Sequence, residues 1–179
     1  MDFRVADWTW DPSQGSQGTA FCGTDFNVDK DVDWFREALP SDLLPLFEAV
    51  EVALLPAGQA PAGAELVDGT TPTVFLDVRW LRFLASKGWE GLDEVMVHEK
   101  HHLIQLLEGR LEIDHPKGVY KWEDKEYTAQ QVIDSYPHLP WEEEAYWEQA
   151  QYVALKGDYP SPHGGYDALM RLAHQALAA

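Results

Sequence analysis

The chain has 179 residues, of which 45% are hydrophobic, so it is long enough to bury a core of its own. Its formal net charge of −18, from 31 acidic and 13 basic residues, disfavours nucleic acid as a partner because phosphates would be repelled. The single cysteine excludes a disulfide framework within the chain and a cysteine-based zinc knuckle. Any metal site must therefore be built from histidine and carboxylate groups.

Neither a secretion signal nor a membrane anchor is predicted. The N-terminus "MDFRVADWTW" lacks a cationic start followed by an apolar run, which a signal peptide requires. No stretch approaches the roughly eighteen apolar residues of a transmembrane helix. We therefore expect no membrane partner and a cytoplasmic location, in a cell or in a cell infected by a virus.

The first half of the chain predicts an irregular segment over 1–29, rich in Gly, Ser and Asp, followed by short elements around a small sheet. In chain order these are a helix in "DKDVDWFREAL" ended by Pro40, a helix from Ser41 to about Glu48, a strand from about Val50 to Leu55, a short strand at Glu65 to Val67 within a loop or hairpin, and a strand in "TPTVFLDVRWL".

The second half predicts helices and a hairpin. In chain order these are a helix from Gly91 to about Leu107 ended by Gly109, a β-hairpin around Glu123 to Lys125, a helix in "PWEEEAYWEQAQYVALKG" ended by Gly157, and a helix from about Tyr166 to Leu177. The sequence contains no repeat and no linker long enough to separate domains. We therefore predict a single α+β domain over 1–179.

The stretch "VMVHEKHHLIQ" carries the zinc signature HExxH in His98, Glu99 and His102. On a helical wheel, Glu99 lies in the middle of the apolar arc and His102 lies at its rim. A buried carboxylate is costly unless a polar group or a metal-bound water satisfies it. Because His98 and His102 are one turn apart, both imidazoles can reach a single ion. The pattern therefore predicts two metal ligands and a catalytic base.

Two neighbouring residues are predicted to take no part in this site. His101 falls on the polar side of the same wheel, beside Gln105. Lys100 falls at the edge of the apolar arc, from which its amino group could reach water. The wheel therefore favours His102 over His101 as the second ligand.

Zinc bound by two histidines needs a further protein ligand, and the later helix offers several glutamates. HExxH followed on a later helix by Glu-Ala, here Glu144 and Ala145, with an acid four residues on at Glu148, resembles the gluzincin branch of the zincin metallopeptidases. The "PWEEEAY" surroundings are similar to small, single-domain bacterial and phage members of that branch. The resemblance covers about residues 72 to 156 and resides in the two motifs and their order.

The resemblance favours Glu144 as the third ligand, and Glu142 or Glu143 remain as alternatives. On the wheel Glu144 and Glu148 share a face with apolar residues, which is consistent with an inward-pointing pair. Glu142 and Glu143 are also explained as charges that stabilise a helix N-terminus. Glu148 would then accept a hydrogen bond from a ligating histidine.

The resemblance implies a zincin-like fold, in which a small, mostly antiparallel sheet packs on the HExxH helix and on a second ligand-bearing helix. It implies a Zn²⁺-dependent peptidase that acts on a peptide or protein substrate through a zinc-bound water activated by Glu99. "TVFLDVRW" would be an edge strand that aligns the substrate. Candidates for stabilising the transition state are Tyr146 and His163, together with Tyr120 and Tyr127. A packed aromatic residue or a surface histidine is the simpler interpretation of each.

Two further functions fit the same residues. The chain could be a catalytically silent zincin-fold protein that keeps zinc for stability, although the retained Glu99 argues against this. It could also be a regulatory protease with a single protein target. Separately, "FCGTD" is faintly similar to a cysteine switch, in which Cys22 would cap the zinc. A small buried cysteine is the simpler interpretation of that segment.

Overall fold

The computed structural model describes residues 28–55 and 61–156, which form a mixture of helices and two small sheets. The predicted α+β class is confirmed for this part of the chain. The elements in chain order are α1 (Val28–Ala38), a 3₁₀ helix (Ser41–Phe47), β1 (Glu51–Leu55), β2 (Ala62–Val67), β3 (Thr71–Asp77), α2 (Val78–Ser86), α3 (Leu92–Leu107), β4 (Leu111–Asp114), β5 (Val119–Trp122), β6 (Lys125–Thr128), α4 (Ala129–Ser135) and α5 (Pro140–Lys156).

The chain divides into two compact units, residues 1–93 and 94–179, which are described separately. The predicted single domain over 1–179 stays a prediction. The predicted irregular segment 1–29 lies outside the described residues except for its last two positions, which begin α1. The predicted last helix, from about Tyr166 to Leu177, also lies outside them. Among the described helices, none combines the length and apolar character that crossing a membrane requires.

The sheet of the first unit has the strand order β1-β3-β2. Strand β1 runs parallel to β3, whereas β2 forms an antiparallel hairpin with it. β3 is therefore the central strand, and neighbours on both sides occupy its backbone hydrogen-bonding groups. The prediction that this segment is an edge strand for substrate is wrong, because a paired central strand has no free edge to offer a peptide.

The strand predicted in "TPTVFLDVRWL" ends earlier than expected, at Asp77. The Asp77 carboxylate accepts hydrogen bonds from the backbone N–H groups of Arg79 (2.8 Å) and Trp80 (3.1 Å), which caps the start of α2. Val78, Leu81 and Leu84 of α2 are buried, at the three-residue spacing of one helical face. The segment from Val78 to Leu81 was predicted as the end of the strand, and helix α2 was not predicted.

The sheet of the second unit is an antiparallel meander of β4, β5 and β6. The predicted hairpin is confirmed, with Glu123 and Asp124 between its two strands. Strand β4 and the short helix α4 were not predicted from the sequence. Thr128 and Gln131 begin α4 with a reciprocal capping box. With β1–β3 as the exception, the described strand pairings are antiparallel, as expected.

The end of α3 is formed by a glycine in the left-handed conformation. Gly109 has φ +69°, its N–H donates to the Leu106 carbonyl, and the Arg110 N–H donates to the Gln105 carbonyl. This pair of bonds is a Schellman motif, which satisfies carbonyls that the last helical turn leaves open. The predicted stop at Gly109 is confirmed, and it directs the chain into β4 with Arg110 at the junction.

The hydrophobic core of the second unit holds the first turn of α5 in position. Leu111, Leu139 and Trp141 are buried together, and the aromatic rings of the hairpin pack around them. Tyr120 stacks on Trp141 at 6.0 Å between centroids, and Tyr127 meets it edge-on at 5.1 Å. Anchoring Trp141 in this way fixes the first turn of α5, and therefore the direction of the glutamates that follow it.

Candidate metal centre

Helix α3 carries the histidine motif, and the residues of that motif are buried. His98, Glu99 and His102 each expose less than a tenth of their surface. The burial predicted for Glu99 is therefore observed. The helix is buried on more sides than the wheel suggests, because Lys100 is only 4% exposed and Gln105 is 0% exposed. The expectations that Lys100 reaches water and that Gln105 faces a polar side are wrong.

Glu142, from the first turn of α5, meets the two histidines. Its Oε2 lies 3.3 Å from His98 Nε2 and 3.5 Å from His102 Nε2, and the two Nε2 atoms are 3.1 Å apart. A tetrahedral zinc ion with bonds of 2.0–2.1 Å requires ligand atoms separated by about 3.3 Å. The three atoms therefore have the spacing of one face of such a tetrahedron. Within the described residues, this group is the one whose donor atoms could together hold a metal ion.

Contacts within this group shift the pKa values of Glu142 and His102 in opposite directions. Burial alone would raise the pKa of Glu142, but His102 and His98 outweigh it and lower that pKa to about 2. Burial would likewise lower the pKa of His102, but contact with Glu142 outweighs it and the pKa is raised. Glu142 is therefore held ionised beside the two imidazoles, and a carboxylate must be ionised to bind a metal ion.

Glu99 lies beside this triangle without being part of it. Burial raises the pKa of its carboxyl group, and the nearby charges of His102 and His98 oppose that rise. A carboxylate of increased basicity, next to a group that could hold a metal, has the properties of a general base.

Glu144 points away from the two histidines of the triangle. Both of its carboxylate oxygens accept from Nη2 of Arg110, at 2.7 and 2.9 Å, and Oε2 also accepts from Gln105 at 3.1 Å. Its Oε1 lies 3.4 Å from Nε2 of His101. The structure thus brings Glu142, not the preferred Glu144, to His98 and His102. Glu143 is exposed and lies 3.7 Å from His138.

Gln105, instead of the predicted Glu148, lies within hydrogen-bond distance of a ring nitrogen of the histidine pair. His102 Nδ1 lies 2.9 Å from Oε1 of Gln105. Burial and the charge of Glu144 raise the pKa of Glu148. Gln105 was not predicted to contact the site, although its position three residues after His102 on the same helix makes such a contact possible.

Tyr146 lies next to the site, as its assignment requires. Its ring centroid is 4.5 Å from that of His98, and its hydroxyl is 2.8 Å from the hydroxyl of Tyr136. That hydrogen bond raises the pKa of Tyr136, which burial and the nearby charges of Glu142 and Glu99 raise further. Tyr136 was not predicted from the sequence to be part of this region.

The other residues predicted to take part in the site are either packed in the core or lie outside the described part of the chain. Tyr120 and Tyr127 pack on Trp141 in the core of the second unit. His163 and Cys22, and with them their predicted roles, lie outside the described residues.

With this geometry established, the chain was compared with known protein families, curated proteins and solved structures. It matches none of them. The assignment of function therefore depends on the site itself.

Proposed function

We propose that the chain is a zinc-dependent metallopeptidase of zincin-like fold, with His98, His102 and Glu142 as ligands and Glu99 as general base. The observation that carries the proposal is the triangle of ligand atoms, 3.1, 3.3 and 3.5 Å on its sides. Three protein ligands leave a fourth tetrahedral position open, which is the arrangement of catalytic zinc sites. The proposed metal ligand from α5 is thus Glu142 in place of Glu144.

The residues around the triangle support a hydrolytic reaction. His98, His102 and Glu142 would hold a zinc ion, which would supply Lewis acidity toward a water molecule and a substrate carbonyl. Glu99, whose pKa burial raises, takes the proton of the attacking water and passes it to the leaving amine. In this proposal Tyr146, whose ring lies beside His98 and which is 41% exposed, donates its hydroxyl hydrogen bond to the developing oxyanion. The proposed substrate is a peptide or protein.

The test is metal analysis of the purified chain combined with hydrolysis by the wild type and the Glu99→Gln variant. We expect zinc in both proteins, and peptide-bond cleavage about 100- to 10,000-fold slower in the variant, because the general base is lost. An unfolded protein and a random-sequence peptide library serve as substrates. Glu94→Gln is the matched control, since it is the same change on the same helix and Glu94 pairs with Lys156 instead.

The outcomes separate the alternatives. A wild type that binds no zinc contradicts the metal site and the peptidase together. Zinc in both proteins, with no cleavage of any substrate by either, favours the catalytically silent protein in which the metal stabilises the fold. Cleavage of one protein partner but not of the peptide library favours the regulatory protease. The position of Glu99, buried beside the triangle but outside it, supports the catalytic proposal over the structural one.

A further inference from the structure

His102 has a hydrogen-bond partner on the side of its ring that faces away from Glu142. Its Nδ1 lies 2.9 Å from Oε1 of Gln105, one turn further along α3. The Gln105 side chain is completely buried. A buried amide must have its donors and acceptor satisfied by the protein, so its partners determine how it is oriented.

The other contacts of Gln105 decide the orientation of its amide. Nε2 donates to the backbone carbonyl of Trp141 at 3.0 Å and to Oε2 of Glu144 at 3.1 Å. Both of those partners can only accept. A flipped amide would place Oε1 against a carbonyl and a carboxylate, which would leave three acceptors facing one another. The oxygen of Gln105 must therefore face His102.

This orientation determines where neutral His102 carries its proton. Because Oε1 of Gln105 accepts only, Nδ1 of His102 has to be the donor. The lone pair of the ring is then on Nε2, the atom that lies 3.1 Å from His98 and 3.5 Å from Glu142. A metal-binding imidazole needs its lone pair on the side of the ligand set.

Glu144 and Arg110 hold the amide in place. Nη2 of Arg110 contacts both oxygens of Glu144, and its guanidinium lies 4.9 Å above the ring of Trp122. The Glu144 carboxylate accepts from both Arg110 and Gln105, so it links the guanidinium to the amide. The contacts therefore run from Arg110 through Glu144 and Gln105 to His102.

We propose that Gln105 is a positioning residue, which locks His102 in the Nδ1-protonated tautomer and thereby directs its Nε2 lone pair at the zinc site. Glu144 and Arg110 act one step further out, by holding the Gln105 amide. The part of this inference that concerns zinc rests on the proposed function. The part that concerns the tautomer applies to the metal-free protein as well, and can be measured there.

The experiment compares the wild type with Gln105→Met, which keeps a similar length but removes the acceptor. Nitrogen NMR of the histidine rings, on metal-free protein above the pH range of histidine titration, reports which nitrogen of His102 carries the proton. We expect Nδ1–H in the wild type and a population shifted toward Nε2–H in the variant. Zinc affinity, measured by competition with a chelator, should fall about 10- to 100-fold, as for other outer partners of metal ligands.

Gln130→Met is the matched control, because Gln130 is an exposed helical glutamine that bonds only the Asp134 side chain among the described residues. It should change neither the tautomer nor the zinc affinity. A folded Gln105→Met protein with an unchanged His102 tautomer overturns the proposal. Should that variant fail to fold, an Nε2–H tautomer in the wild type also overturns it. A wild type that shows Nδ1–H but binds no zinc contradicts the proposed function and supports the tautomer lock.

Discussion

Glu142 and Glu144 are two positions apart on α5, and their carboxylates have different partners. The buried residues Trp141, Ala145 and Tyr152 define the stripe of this helix that faces the protein. At about 100° per residue, the two glutamates flank the centre of that stripe on opposite sides, each about 80° away. Helical periodicity alone therefore gives neither of them preference as a ligand.

The neighbours of each glutamate distinguish them. Glu144 lies on the side where Arg110 and Gln105 already supply donors to its carboxylate. Glu142 lies on the same side of α5 as Tyr146, which is one turn further along the helix. The ring of Tyr146 packs against His98. A carboxylate that an arginine already neutralises is a poor choice of metal ligand, whereas one that faces two imidazoles is well suited to it.

The corresponding prediction is that Glu142→Gln weakens zinc binding by more than about 100-fold, because it removes a ligand instead of an outer partner. Glu144→Gln should reduce the affinity by much less, because it acts only through Gln105. Glu143→Gln, a change of the exposed glutamate between them, should have no effect. Chelator competition measures all three. Comparable losses in Glu142→Gln and Glu144→Gln would contradict this assignment of the ligands.

Helices α3 and α5 supply the proposed ligands. Local contacts at the end of α3 and at the start of α5 hold each helix in its orientation. α3 ends in the Schellman motif at Gly109, and α5 begins next to the core around Trp141. Arg110 follows the motif directly, so the same turn that ends α3 delivers the guanidinium to Glu144. The termination of one helix thus helps to orient a side chain on the other.

Gly109→Ala tests the first of these ends. A Cβ at this position would meet nothing within 4 Å, so the expected loss comes from the backbone conformation at φ +69° and not from a clash. We expect the free energy of unfolding to fall by about 1 kcal/mol. Gly63→Ala is the control, since that glycine also has open space around it but has no positive φ. Denaturant unfolding measures both, and equal changes would contradict the conformational explanation.

At the scale of the whole molecule, the proposed metal couples distant parts of the sequence. His98 and Glu142 are 44 positions apart (142 − 98) and belong to different helices of the second unit. An ion held by both helices stabilises the folded state, in which the ligands are together, over the unfolded chain, in which they are not. Among the described residues, no metal-binding group of this kind lies in the first unit.

Zinc removal is therefore predicted to destabilise the folded protein. At free zinc about 100-fold above the dissociation constant, the free energy of unfolding should be about 2.7 kcal/mol higher than in the chelated protein. Hydrogen exchange should show the added protection in α3 and α5. In the Glu142→Gln variant the same addition of zinc should have a much smaller effect. Equal stabilisation of the two proteins would indicate binding elsewhere on this strongly acidic chain.

Local patterns in the sequence predict the elements whose signals are complete within a few residues. The α3 helix, its stop at Gly109 and the β5–β6 hairpin are found as predicted, and so is α5 over its described residues. The predicted end of α5 at Gly157 lies outside the described residues. Predictions failed where tertiary contacts or a cap override propensity. The "TVFLDVRW" segment is a central strand followed by a capped helix, and Lys100 and Gln105 are buried although their polar side chains suggest exposure.

The sequence by itself determines that His98, Glu99 and His102 share one helix at metal-binding spacing, because one-turn periodicity is a local property of the chain. Only the tertiary structure places Glu142 with the histidines, and Glu144 and Gln105 with Arg110. Those pairings depend on how α5 is rotated about its own axis. Packing around Trp141 and the position of Arg110 after α3 set that rotation, and both involve residues far apart in the sequence.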